Sequence, residues 1–241
     1  GNEEKSISNY RQACELNPAL LSSWISLFEY FKKHNNEPAA EHALEQINKL
    51  KALPNMLLYI DQIMNEGRLG VAELKCREFL KKNPTHTYAM SQLSEIANRL
   101  GHFDDAELLL EKAVQFKPKD GELRMKYALV LRKKQKFAKT MEQVNILCDM
   151  YPNNLAYQAQ KASEIMQNGE HEDAINLFDD ILAKNPHNFS TYTSKGHAEK
   201  TLGRSSDAIK SYQSAYKIRP DHGEAFFSLA NLKTYSFSEP E

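Results

Sequence analysis

The chain has 241 residues, with 31 Lys and Arg against 32 Asp and Glu and a formal net charge of −1, so neither sign dominates the surface and nucleic acid is not an expected partner. Nine glycines, nine prolines and three cysteines are too few for collagen-like, loop-rich β or disulfide-stapled classes. No apolar run reaches the roughly 18 residues of a membrane-spanning helix, so no membrane partner is expected.

The predicted elements follow a ruler: Pro84, Pro118, Pro152, Pro186 and Pro220 are each 34 residues apart. Between them recur two amphipathic helices of about 14 residues, and the break often holds glycine, at Gly67, Gly101, Gly169 and Gly203. Glycine there supplies a left-handed cap that turns the chain, and proline stops the second helix by its missing N–H and its ring. In chain order, residues 1–20 predict a lone second helix ending at Pro18. Complete pairs follow at 21–52, 53–86, 87–120, 121–154, 155–188 and 189–222. Residues 223–241 begin with a lone first helix over 223–235, which opens a further repeat or a junction to a further domain. Residues 1–12 carry no hydrophobic signal core, and the apolar ends lead us to expect a native protein that continues in both directions.

Cys14, Cys76 and Cys148 stand 62 and 72 residues apart with no CxxC pair, which suggests neither zinc nor a disulfide framework. Each falls in an apolar helical stretch and fits a reducing compartment, the cytoplasm.

The spacing Tyr192, Gly196, Ala208, Tyr212, Ala215, Pro220 resembles the tetratricopeptide repeat (TPR) consensus, and the resemblance runs through essentially the whole chain. It implies an all-α, right-handed superhelical solenoid of about 14 helices, whose first helices line a concave groove. Several positions depart from the pattern. The pair at 21–52 is two residues short, with Ala52 where proline belongs; Phe28 and Ile60 replace small residues; Thr140 replaces an alanine. Altered packing is expected near residues 50–60.

No phosphate loop, dinucleotide fingerprint, HExxH or GxSxG occurs, so no catalytic residue, cofactor or metal is assigned. His86, His187 and His222 read as solvated turn residues, and Asp104-Asp105 and Asp179-Asp180 as helix-start or solvated carboxylates. Projection of the first helices at 3.6 residues per turn gives the groove candidates. Glu29, Asp61 and Glu95 occupy equivalent positions and predict an acidic row flanked by Lys33, Arg99 and Arg132. Met125, Leu129, Ala159 and Met166 predict an adaptable apolar segment, and His197 a hydrogen-bonding contact. Leu57, Ser91 and Thr193 project toward the same face. The expected partner is a protein or peptide. Chaperone carboxyl-terminal tails are disfavoured, because the residues at the corresponding positions do not form the Lys/Asn pair of TPR domains that hold them, and the acidic row repels carboxylates.

The stretch 222–237, HGEAFFSLANLKTYSF, resembles the junction segment of bacterial TPR-containing sulfotransferases. That resemblance implies that this chain is the non-catalytic arm of a larger enzyme, and a free-standing adaptor is the alternative. Phe226, Phe227, Leu229 and Tyr235 predict an apolar docking face for self-association or for a following domain.

Overall fold

The computed structural model describes residues 2–17, 19–221 and 223–232, with side chains from residue 5 onward. Pro18, His222, Tyr235 and the rest of 233–241 lie outside the described residues. Among the described residues the protein is built of fourteen helices without strands, and no helix is long and apolar enough to cross a membrane.

Two compact units divide the chain at Lys117 and Pro118. The N-terminal unit holds α1 (Asn2–Leu16), α2 (Leu21–Lys33), α3 (Glu37–Lys51), α4 (Asn55–Asn65), α5 (Leu69–Lys82), α6 (Thr87–Arg99) and α7 (Phe103–Phe116). The C-terminal unit holds α8 (Gly121–Lys133), α9 (Phe137–Met150), α10 (Leu155–Gln167), α11 (His171–Lys184), α12 (Phe189–Thr201), α13 (Ser205–Ile218) and α14 (Gly223–Ala230).

Two devices place the helix ends. Each of Pro84, Pro118, Pro152 and Pro186 is followed two residues later by a side chain that caps the next first helix: His86, Asp120, Asn154 and Asn188 accept from backbone N–H groups in the first turn. His86 is therefore a half-buried cap whose ring meets Phe79 edge-on at 5.2 Å, and burial lowers its pKa; the solvated reading suits His187, which is exposed. Inside each pair, the residue that reverses the chain is left-handed. Gly67, Gly101, Gly169 and Gly203 take this role, and so do Asn35 (φ 53°) and Gln135 (φ 57°).

In the N-terminal unit Ile7, Cys14, Leu27, Phe31, Ala40 and Ala43 form one cluster across α1–α3. Leu57, Ile60, Ile63, Cys76, Ala89 and Ile96 belong to a second across α4–α6. The backbones of α5 and α6 run close together, whereas those of α3 and α4 do so at few points. Packing is thus altered near residues 50–60, where Ile60 is fully buried at a position that is small in later pairs. In the C-terminal unit Ala162, Ala174, Phe178 and Ile181 cluster across α10–α11, and Ala208, Tyr212, Leu229 and Leu232 cluster across α13–α14. Thr140 is fully buried in α9 and returns its hydroxyl to Lys136 O at 3.1 Å, so its extra polar group is satisfied within the helix.

Candidate functional site

On the N-terminal unit the three carboxylates of the expected acidic row have different surroundings. Glu29 on α2 is exposed. Asp61 on α4 is half-buried, and its Oδ2 accepts from the Tyr88 hydroxyl of α6 at 2.7 Å. Glu95 accepts from Arg99 Nε at 2.8 Å, one turn along α6, and Arg99 Nη1 also donates to Met64 O at 3.2 Å. Arg99 thereby neutralises Glu95 and ties α6 back to α4. Leu57 is wholly buried within the α4–α6 cluster, and Ser91 nearly so.

On the C-terminal unit Leu129 of α8 is 41% exposed, and Met125, one turn before it, is half-buried. Met166 and Ala159 are also half-buried and lean on the Ala162–Phe178 cluster. Thr193 is buried. Arg132 Nη1 donates to Glu164 Oε1 at 3.3 Å, where the Glu164 side chain is 3% exposed and also accepts from Gln160 Nε2 at 2.6 Å. Arg132 therefore supports the fold as well as bordering the surface.

His197 of α12 joins three helices. Its Nδ1 lies 2.9 Å from Tyr212 Oη on α13, and its Nε2 lies 3.3 Å from Glu224 Oε1 on α14. A neutral ring that accepts from the Tyr212 hydroxyl and donates to Glu224 satisfies both. Burial pushes the Tyr212 hydroxyl up to about 12, against a hydrogen bond from Ser228 that lowers it. Beside them Lys195 reaches Asp179 at 2.5 Å and Glu199 at 3.6 Å, and Glu199 accepts from Ser211 Oγ at 2.7 Å. Burial raises the Glu199 pKa; it opposes the charge of Lys195, whose pKa the two carboxylates nevertheless raise. These contacts hold α11–α13 together. Among the described residues no group of three His, Cys, Asp or Glu side chains could hold a metal ion.

At the C-terminal helix Phe226 and Phe227 are exposed, at 39% and 68%. Leu229 does not join them: it is 2% exposed, packed with Ala208 and Tyr212 beneath α14. Grouping it with its neighbours overlooked the helical phase, which turns residue 229 under the helix.

Tyr88 and Glu224 were not singled out from the sequence, although one spacing connects them. Asp61 to Tyr88 and His197 to Glu224 are each 27 residues, the step from the middle of one first helix to the start of the next.

Known proteins supply a further comparison. The tetratricopeptide repeat profile matches residues 160–222. No curated protein matches the sequence. Among solved structures the chain is similar to YrrB, described as a TPR protein with an unusual peptide-binding site, at 16% identity and a TM-score of 0.57 over 72% of this chain and 89% of YrrB. It is similar to MamA at 17% identity and a TM-score of 0.59, covering 68% of this chain and 96% of MamA. The thermophilic TPR protein TTC0263 of Thermus thermophilus gives 18% identity and a TM-score of 0.58, over 73% and 96% of the two chains. At such identities the likeness speaks to architecture alone, and the architecture is the all-helical TPR solenoid.

Proposed function

We propose that this chain is a non-catalytic scaffold that holds a protein or peptide on the exposed faces of its first helices. The observation that carries this reading is Leu129, a large apolar side chain left 41% exposed on α8 beside Met125, in a fold whose solved relative YrrB has a peptide-binding site. Glu29, exposed on α2, offers the least encumbered charge for a basic or polar segment of the partner, with Asp61 on α4 and Glu95 on α6 as weaker contributors. Peptide-array binding followed by kinetics on the best peptide tests this. Glu29→Lys should slow association and alter its salt dependence, whereas Met125→Asp with Leu129→Asp should speed dissociation. Binding unchanged in both variants overturns the assignment. The three cysteines, all free, support placing the scaffold in the cytoplasm.

A finer reading rests on the resemblance of residues 222–237 to the junction of TPR-containing sulfotransferases. We read the chain as the arm of a larger protein of that kind, with Phe226 and Phe227 docking the following domain; a free-standing adaptor is the alternative. Calorimetry with 3′-phosphoadenosine 5′-phosphosulfate on this chain should show no binding, since no phosphate-cradling loop is present in its sequence. Saturable micromolar binding refutes the arm. A reading frame that ends without a second domain favours the adaptor.

A further inference from the structure

The N-terminal unit contains an open cavity of about 310 Å3 between α1, α2 and α3, and none of the groove candidates lines it. Trp24, Leu27 and Phe31 recur at i, i+3 and i+7 along α2 and make one wall. Two small side chains, Cys14 of α1 and Ala39 of α3, also line the cavity, and their small volume beside the large side chains of α2 leaves space unfilled. His42 turns edge-on to the Trp24 ring at 5.6 Å, which fixes the indole as a flat apolar surface.

The charges at the rim do not select an ion. Arg11 lies over the Phe31 ring, 5.3 Å from its centroid, and Glu15 follows one turn later on α1, so the rim carries one charge of each sign. The size falls at the lower end of ligand sites, about 300 to 1,000 Å3. An engineered apolar cavity of about 150 Å3 is enough to admit benzene. We propose that this cavity is an anchor site for one uncharged aromatic or branched apolar side chain carried by a polypeptide partner. The polypeptide part rests on the scaffold reading above; the preference for a neutral ring does not.

Trp24 is the one tryptophan of the chain, so its emission reports occupancy directly. Titration with N-acetyl-phenylalaninamide should give a saturable change in the millimolar range, and phenylacetate and phenyltrimethylammonium should bind at least tenfold more weakly. Ala39→Phe, which fills the space, should weaken the amide at least tenfold while circular dichroism stays that of the parent. Should that variant not fold, N-ethylmaleimide labelling of Cys14 in the parent decides, since the amide must slow it at least threefold. No saturable change in the parent, or equal binding in a folded Ala39→Phe variant, overturns the site. A neutral Gly/Ser peptide with one central Phe should bind at least tenfold tighter than the amide, and equal affinity overturns the polypeptide assignment. Met125→Asp with Leu129→Asp should leave the Trp24 signal unchanged, which separates failure of this site from failure of the groove.

Discussion

A Cβ added to Gly196 would stand 2.6 Å from Cε1 of Tyr212, so the ring from α13 lies against bare backbone of α12. Alanine normally gains about 1 kcal/mol over glycine inside a helix. Here the ring cannot yield easily, because Tyr212 is fully buried and its hydroxyl is held by His197 at 2.9 Å. Gly196→Ala should therefore lower stability by about 1–3 kcal/mol, read as the urea midpoint, and Tyr212→Leu in that background should cost less than it does alone. An alanine variant more stable than the parent would refute the close approach.

The two left-handed residues that are not glycine predict the opposite outcome. Gln135 at φ 57° and Asn35 at φ 53° occupy the position that Gly67, Gly101, Gly169 and Gly203 hold elsewhere. For a side chain without local hydrogen bonding this conformation costs roughly 1–2 kcal/mol, and asparagine suffers less. Gln135→Gly should raise stability by about 0.5–1 kcal/mol after the greater freedom of glycine in the unfolded chain is subtracted. Asn35→Gly should change little. Thermal melts of the two variants check the ranking.

Cys76 is wholly buried and its thiol donates to Ala89 O at 3.1 Å. Burial pushes the thiol from its ordinary 9.0 up to about 12. A raised value means that the folded state keeps the proton longer, so this contribution is fully present below the unfolded pKa and is lost as pH rises through the folded one. Between about pH 9 and 12 the parent should lose stability relative to Cys76→Ala by up to about 1.4 kcal/mol per pH unit. Urea titrations of both proteins across that range measure the slope, and a pH-independent difference would contradict it.

Arg132→Ala should destabilise the C-terminal unit by about 1–3 kcal/mol, because it leaves the buried Glu164 carboxylate without its cation. Partial exposure of the arginine keeps the loss below that of a fully buried pair. Glu164→Gln in the Arg132→Ala background should recover part of the loss. A cycle without coupling would reassign Arg132 to the surface alone.

Proline and glycine at fixed intervals made the helix pairs readable, since both residues act on their own backbone. The left-handed turns at Asn35 and Gln135 were not legible, because the backbone requirement persists where the usual residue is absent. The surface residues were read less well for a different reason. Projection on one helix places Leu57, Ser91 and Thr193 outward but takes no account of what packs around that helix, and all three are buried. Charge was misjudged likewise: Glu95 looks like a bare acid until Arg99 is seen folded onto it, and the Tyr88 hydroxyl that engages Asp61 belongs to the following pair.

Two of the apolar clusters in the N-terminal unit are short in sequence, one running from Ile7 to Ala43 and the other from Leu57 to Ile96. A nascent chain emerging from the ribosome can therefore close the Ile7–Ala43 cluster before the residues of α4 have left the exit tunnel, with no distant strand or domain to await. Synthesis and assembly of these clusters can proceed in the same direction.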